Sequence, residues 1–436
     1  VPTSRRDGGG VFGTNASPTL RGLIIRDCSA VRFGGGIYLE TQGGSAGALI
    51  ENCVIADCSA AAAGNAAGGG AAIFSSAQIS GSRFTNNTAS GPGSSGGGLF
   101  LGGAGTVLVD DCRFDRNDAP DAKGGGIFVN MDSNAGALEM TGSIVELNDA
   151  ADLGGGLALE GLGRHAIRAT RISRNECTAE TNGAAAGILT SLGNGASTTI
   201  ENCLITGNVS NGNAPGIDAR GEQEVFVVNT TVVGNTSING VVGGISLFGD
   251  TATVHNSIVW DNTSNALFDA RAISIADSSF STVTVNHSLV EYWFDVQGPL
   301  PGTGTTDDDP MFVDADGNDN VYGTSDDNPR LQPGSPAIDA GNNLVISPFG
   351  FTDVFGDARF RDDTGTPDTG VGDGVNAVVD IGAAEFQGTT PTDCLADTNN
   401  DGLLNPADFN AWVIAFNNQT PACDQNGDGL CNPADF

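Results

Sequence analysis

The sequence predicts an all-β fold, a parallel β-helix solenoid, followed by a small α-helical module at the C-terminus. Three observations predict the solenoid: a glycine-rich phrase recurs about every 30 residues, a second phrase with fixed apolar positions alternates with it, and asparagines recur at one position of the repeat. Repeats of this size form coils that bury their apolar faces only against neighbouring coils. We expect nine or ten coils, about 4.8 Å apart, in a rod roughly 45 Å long.

The glycine-rich phrase marks points where the backbone turns or packs closely. It reads GGGIYL, GGGAAIF, GGGLFL, GGGIFV, GGGLAL, AAGILT, APGIDA and VGGISL, and these copies begin at Gly34, Gly68, Gly96, Gly124, Gly154, Ala185, Ala214 and Val242. One copy per coil is expected.

The second phrase, for example IENCVIADC from Ile50, aligns into four columns. The first column is apolar: Ile50, Ile79, Val109, Met140, Ile167, Ile200, Val227, Val254 and Val285. The second suits a left-handed turn, with Ala169 as its exception: Asn52, Gly81, Asp111, Gly142, Ala169, Asn202, Asn229 and Asn256. The third is small: Cys53, Ser82, Cys112, Ser143, Thr170, Cys203, Thr230, Ser257 and Ser288. The fourth is apolar: Ile55, Phe84, Phe114, Val145, Ile172, Ile205, Val232, Val259 and Val290.

An asparagine lies three residues beyond the fourth column, where stacked amides can bond along a solenoid. The series is Asn87, Asn117, Asn148, Asn175, Asn208, Asn235 and Asn262, preceded by Cys28 and Cys58. Core, turn and asparagine columns together predict a parallel β-helix over residues 1–294.

Residues 8–294 resemble the right-handed β-helix repeats of secreted and surface proteins, including polymorphic outer-membrane-type repeats and polysaccharide lyases. The resemblance implies the hand of the coils, but not a function, since one fold hosts many functions. Residues 295–388 are acidic and loop-rich, and the phrases SPAIDAG and DIGAAEF resemble closing segments of such rods. We interpret this region as a cap on the open end.

The last residues, 389–436, hold a short linker and one loop sequence twice, DTNNDGLLNPADF and DQNGDGLCNPADF. Calcium takes oxygen ligands from positions 1, 3, 5, 7, 9 and 12 of a 12-residue loop, with glycine at position 6. The predicted ligands are Asp397, Asn399, Asp401, the Leu403 carbonyl, Asn405 and Asp408, then Asp424, Asn426, Asp428, the Leu430 carbonyl, Asn432 and Asp435. Asn405 as N-cap and Pro406 as first residue should start a helix.

This duplicated loop and helix resembles the dockerin module, in particular the GC-type dockerins of secreted bacterial proteins. The resemblance implies a calcium-dependent attachment module whose partner is a cohesin-like receptor, and an extracellular or cell-surface location. The sequence departs from it because no second helix follows Phe436. The chain also opens at VPTSRR without Met or a signal peptide, so we expect a fragment that lacks sequence at both ends. A purely structural calcium loop is the alternative.

The formal net charge is −34, from 52 acidic and 18 basic residues. Such a field disfavours nucleic acid and anionic membranes as partners. No apolar run is long enough for a membrane span. Nine cysteines are an odd number; Cys423 and Cys431 are candidates for one pair. Cys28 and Cys58, one coil apart, are either bridged or buried free thiols.

Catalytic residues are not evident. Lys123, the sole lysine, and Asp110–Asp111 are candidates for a lyase base and a glycosidase carboxylate pair, although Asp111 occupies the turn column. The histidines His165, His255 and His287 form no column and are expected at the surface or in turns. Asp314, Asp316 and Asn318 form either a third calcium site or, as we favour, an Asx-rich turn.

Two functions follow from these observations. We favour a non-enzymatic extracellular β-helix protein, held through its dockerin-like end, with polysaccharide as a candidate ligand. The alternative is a lyase or glycoside hydrolase on the same scaffold. A groove in which three or more carboxylates and an arginine converge would favour the enzyme, whereas plain Ser, Thr and Asn ladders would favour the binding protein.

The C-terminal loops should bind calcium cooperatively only when a helix is restored after the second loop, because that helix should pack against the apolar face around Trp412. Calorimetry measures the number and affinity of the sites. Two equally tight sites in the chain as printed would contradict this expectation.

Overall fold

A computed structural model describes residues 7–41, 47–179, 185–240, 242–264, 271–275, 282–291, 302–348, 350–388 and 406–418. These residues belong to two units, Val1–Phe386 and Gln387–Phe436. The first unit contains a parallel β-solenoid of about nine turns, which confirms the predicted all-β class. Each coil contributes to three parallel sheets that surround one apolar core.

The first sheet holds seventeen strands among the described residues. Most coils contribute two short strands, whereas three consecutive coils contribute one long strand each, Ile188–Glu201, Ile217–Val228 and Val242–His255. The strands of this sheet are Val11–Thr14, Thr19–Arg21, Ile37–Glu40, Ala48–Glu51, Ala71–Phe74, Ala77–Ser80, Leu99–Gly103, Thr106–Asp110, Ile127–Met131, Ala137–Thr141, Leu157–Gly161, Arg164–Arg168, Ile188–Glu201, Ile217–Val228, Val242–His255, Arg271–Ile275 and Thr282–Asn286.

The second and third sheets are built from shorter strands, one per coil. The second sheet comprises Ile24–Arg26, Val54–Ala56, Arg83–Thr85, Arg113–Asp115, Ile144–Glu146, Arg171–Ser173, Leu204–Thr206, Thr231–Val233, Ile258–Trp260 and Leu289–Val290. The third comprises Ser29–Ala30, Ser59–Ala61, Thr88–Ser90, Asp118–Ala119, Asp149–Ala150, Glu176–Cys177, Val209–Ser210, Thr236–Ser237 and Thr263–Ser264.

The register confirms the predicted columns. In the first column, Ile79 pairs with both Ile50 and Val109, and the pairing continues coil by coil to Val285. Every residue of the first and fourth columns is at most 1% exposed. Identical apolar positions therefore stack directly above one another in the core.

The predicted turn column is left-handed throughout. Its residues have φ between 46° and 59°, including Ala169 at 46°. His287, one coil beyond Asn256, extends the column with φ 46°. A second left-handed column was not predicted from the sequence. It precedes the asparagine position, and its members are Asp27, Asp57, Asn86, Arg116, Leu147, Arg174, Gly207, Gly234 and Asp261.

The asparagine column forms the predicted ladder inside the turn. Each amide Nδ2 donates to the Oδ1 of the next asparagine at 2.8–3.0 Å, from Asn87 to Asn262. The same Oδ1 also accepts the backbone N–H of the preceding asparagine at 3.0–3.1 Å. Cys28 and Cys58, which precede the ladder, are free thiols.

The small third column forms a second hydrogen-bonded ladder, which was not predicted from the sequence. A hydroxyl in one coil accepts the backbone N–H of the coil before it, as Ser82 does from Cys53 at 3.0 Å and Ser143 from Cys112 at 3.1 Å. These N–H groups would otherwise be buried without partners. The column is therefore small and preferably hydroxylated because of its position in the turn.

The described closing region up to Phe386, residues 302–348 and 350–386, belongs to the same unit as the rod. It contains the antiparallel strands Phe312–Asp314 and Asn328–Leu331 and the 3₁₀ turn Asn343–Val345. Thr306 pairs with Leu289 and so extends the end of the stack.

Parts of the closing region also pack along the flank of the later coils, on the turn column. Asn202 Nδ2 donates to the Thr352 carbonyl at 2.9 Å, and Asn256 exchanges two hydrogen bonds with the Asn342 backbone at 2.8 and 3.0 Å. The closing region thus contacts the flank of the rod as well as its last described coil.

The second unit contains one described helix, Pro406–Asn418. It begins at Pro406, as the sequence predicts. Trp412 and Ala415 are each 7% exposed, and the Trp412 ring stacks on Phe416 at 5.1 Å between centroids. Among the described residues, no helix has the length and apolar character needed to cross a bilayer.

Replacing Asn175 with Ala should destabilise the rod by about 2–4 kcal/mol, since it leaves the Asn148 N–H and neighbouring ladder groups buried without partners. Urea midpoints measure the loss, and hydrogen exchange of the Asn148 amide localises it. The control is Asn194→Ala, at an exposed asparagine of the first sheet. Equal midpoints for the two variants would contradict a structural role for the ladder.

Candidate functional site

A row of aromatic rings runs along the outer face of the first sheet. Within each strand Ile37 and Leu39 point into the core, so Tyr38 between them points outward. Successive ring centroids, Phe12 to Tyr38, Tyr38 to Phe74, Phe74 to Phe100 and Phe100 to Phe128, are 5.2–5.8 Å apart. The row contains one ring per coil over five coils. Phe12 is exposed and Phe74 and Phe100 are partly exposed, whereas Tyr38 and Phe128 are buried, with 6% and 4% exposure.

The sequence carries a signal for this row. In GGGIYL, GGGLFL and GGGIFV the aromatic residue follows the first apolar position, whereas in GGGAAIF it comes two residues later. Tyr38 and Phe100 both pair with Ala72, and Phe74 stands opposite Glu40. The small Ala72 leaves room for the Phe74 ring to continue the row.

Three rings of the row, Phe74, Phe100 and Phe128, form one wall of a cavity of about 490 Å³, here called the lateral groove. Its other walls come from the segments that precede each glycine phrase. Phe33, Ala67, Ser95 and Lys123 are paired in register on successive coils, so the groove follows the rod. Its polar lining residues are Asn65, Ser95, Asp121, Lys123, Asn130, Asp152 and Glu160.

Lys123, the sole lysine, lies in this groove. Its Nζ is 2.7 Å from Glu160 Oε1, and both side chains are less than one-third exposed. Asp121 Oδ2 accepts the Gly91 N–H at 2.8 Å. Asp152 also lines the groove, so three carboxylates and one ammonium lie along the same cavity as the aromatic wall.

The third sheet carries a stack of carboxylates at one position per coil, Asp118, Asp149 and Glu176. Burial, followed by the charges of Asp118 and Glu176, raises the pKa of Asp149 to about 6. One oxygen of Asp149 is buried without a hydrogen-bond partner. Like charges stacked at the coil spacing therefore oppose the fold at neutral pH.

A second cavity, of about 470 Å³, lies over the second sheet and is lined by Arg113, Arg116, Arg171 and Arg174 with Glu146, Asp319 and Asp326. The fully buried Asp115 pairs with Arg83 at 2.7 Å and Arg116 at 2.9 Å. Burial opposes ionisation of Asp115, but the hydrogen bonds from Arg83 and Thr85 outweigh it, and its pKa lies below the usual range. The pKa of Arg83 is raised by its hydrogen bond to Asp115, which is the wrong direction for a catalytic base.

The remaining candidates from the sequence do not form a site. Asp111 is a left-handed turn residue with φ 49°, so the Asp110–Asp111 pair serves the turn. His287 also lies in a turn. The expectation of a surface or turn position is wrong for His165, which is 2% exposed and accepts the Leu138 N–H at 3.0 Å. Burial lowers the pKa of His165 to about 4, so it is neutral and structural.

The predicted calcium ligands of the C-terminal loops lie outside the described residues, apart from Asp408, which falls in the helix. Cys394, Cys423 and Cys431 also lie outside them. Asp314, Asp316 and Asn318 belong to neither carboxylate cluster found in the described part of the chain. Those two clusters are Asp319, Asp326 and Asp327, and Asp339, Asp362 and Asp368.

Residues 9–214 match the family model for the right handed beta helix region. This part of the chain is therefore similar to right-handed β-helix repeats, in agreement with its parallel coils. None of the curated proteins compared with the chain matches it. The match covers the lateral groove and leaves the closing region and the C-terminal module outside.

Replacing Asp149 with Asn should stabilise the protein at pH 7–8, with a gain that shrinks towards pH 4. Because the folded-state pKa of about 6 exceeds the unfolded value of about 3.9, the folded chain binds more protons between these values. Its stability therefore falls as pH rises through that interval and is flat above it.

Urea midpoints from pH 4 to 8 measure this effect. Asp132→Asn, at an exposed aspartate, controls for the change in net charge. A parent chain whose midpoint does not fall between pH 4 and 6 relative to Asp149→Asn would refute the repulsive stack.

Proposed function

We propose that this protein is an extracellular or cell-surface β-helix protein that binds a neutral polysaccharide in the lateral groove. The observation that carries the proposal is the aromatic row beside a line of hydrogen-bonding side chains. Aromatic rings pack against the C–H faces of sugar rings, while amides and carboxylates bond to the hydroxyls at their edges. A groove that repeats these groups coil by coil suits a polymer.

The charge of the groove favours a neutral ligand. Lys123 is already paired with Glu160, so Asp121 and Asp152 leave the lining with excess negative charge. The whole chain adds a net charge of −34. An acidic polysaccharide would be repelled by both, and this repulsion weakens with salt.

Enzymatic cleavage of the polysaccharide is the second candidate function. It is favoured by one observation, the convergence of Asp121, Asp152 and Glu160 with Lys123 in a single groove. Carboxylates in a glycan groove are the groups that hydrolases use as acid and base. The ion pair of Lys123 with Glu160 and the raised pKa of Arg83 make a lyase base harder to identify.

We further propose that the C-terminal module is a calcium-dependent dockerin-like tether with a cohesin-like receptor. Two features support the proposal: the duplicated loop sequence and a helix that begins at Pro406 with a stacked aromatic face. The ligands proposed are those of the two loops. The tether would hold the rod at a surface while the groove binds glycan.

Replacing Phe100 with Ala should weaken binding of a neutral polysaccharide by about tenfold or more, because stacking and apolar contact of one ring are lost. Titration calorimetry or affinity electrophoresis against neutral and acidic polysaccharides, with and without calcium, measures the effect. Phe351→Ala, at a 65% exposed phenylalanine of the closing region, should bind like the parent.

The same panel also tests for cleavage. Equal binding by Phe100→Ala and the parent would refute the groove as the glycan site. Release of unsaturated or reducing ends by the parent, and not by Glu160→Gln, would replace the binding function with an enzymatic one.

A further inference from the structure

The closing region contains a buried carboxylate with an incomplete set of partners. Asp339 is 0% exposed. Its Oδ2 accepts the Asp363 N–H at a long 3.3 Å, and its Oδ1 is buried with no hydrogen-bond partner. An ionised carboxylate in this position is costly unless a cation or donors compensate it.

Two further carboxylates face this one. Asp362 and Asp368 are exposed, and each has an oxygen within 4.8 Å of an Asp339 oxygen and of the other. Among the described residues, no arginine or lysine forms an ion pair with any of the three. The cluster therefore combines three negative charges, one of them inaccessible to water.

From this geometry we infer a calcium site formed by Asp339, Asp362 and Asp368, separate from the C-terminal loops. Ca²⁺ binds oxygen at 2.3–2.6 Å, so ligand oxygens on opposite sides of the ion lie about 4.6–5.2 Å apart. Oxygens within 4.8 Å of one another fit around one such ion. Mg²⁺, at 2.0–2.1 Å with strict octahedral geometry, fits a half-exposed loop less well.

The surrounding backbone explains what the ion would stabilise. The Asp339 carbonyl accepts the N–H groups of Thr369 and Gly370 at 2.9 and 3.0 Å. The Asp339 N–H donates to Asp380 Oδ1 at 2.8 Å. Asp339 thus already joins the buried segment to the loop that carries Asp362 and Asp368, and calcium would fix that loop.

The test uses the full chain, so the C-terminal loops are present in every sample and cancel in the comparison. Equilibrium dialysis against calcium, in millimolar Mg²⁺, counts the ions bound per chain. The double variant Asp362→Asn/Asp368→Asn should bind one calcium fewer than the parent. The control Asp307→Asn/Asp308→Asn removes the same charge at exposed positions of the closing region and should bind the parental number.

A second variant separates a metal site from a merely protonated buried acid. Calcium should raise the melting temperature of the parent rod by several degrees, and Asp339→Asn should lose this increment while it remains folded in chelator, as far-UV circular dichroism would verify. Equal stoichiometry in parent and double variant would overturn the site. So would a calcium-induced melting shift in Asp339→Asn as large as that of the parent.

Discussion

The structure depends on hydrogen bonds that cross from coil to coil at every buried turn. From Asn117 to Asn262, each asparagine Oδ1 accepts both the backbone N–H and the amide N–H of the asparagine in the coil before it, so these coils present an asparagine at the same place. Cys28 and Cys58 take this position in the first two coils. The hydroxyl column imposes the same condition at the other turn. Coil length varies between the glycine phrase and the first apolar column, with 13 residues from Ile37 to Ile50 but 8 from Ala71 to Ile79, and also in the segments between the third sheet and the glycine phrase. The latter segments form walls of the lateral groove.

The sequence predicts those parts of the fold in which single residue types have a strong local conformational preference. Apolar columns and Asn or Gly at φ > 0 are local preferences, so the core, one turn column and the ladder could be predicted. The second turn column could not, because Arg116, Leu147 and Arg174 have no preference for the φ of 52–56° that they adopt. Their conformation is imposed by the stacked turns. The groove could not be predicted because aromatic residues in a sequence indicate only a β-strand. Their alignment in one row becomes visible only when the pairing register of neighbouring strands is known.

The closing region shows why a rod of this kind carries an acidic, polar segment that is nevertheless buried. Arg359 is 0% exposed and donates to Asn202 Oδ1 at 2.8 Å and to the Ala383 carbonyl at 2.9 Å, and it pairs with Glu385. Burial raises the pKa of Asp380 to about 7 and that of Glu385 well above its usual value. Removing the guanidinium would leave carboxylates and carbonyls unpaired. Hydrogen bonds between the closing region and the coils thus fix the position of the closing region on the rod. Hydrophobic packing alone would specify this position poorly.

The length of the aromatic row limits the ligand. After Phe128 the same outward position holds Ala158, Leu189, Asp218 and Ser246, all at most 2% exposed. The outer face of the sheet is covered there and offers no surface to a sugar. Within the lateral groove, two steps of 5.2 and 5.6 Å separate Phe74, Phe100 and Phe128, a path of roughly 10 Å at the coil spacing. The polysaccharide proposed above would therefore contact these rings with a short segment of its length, lying along the rod.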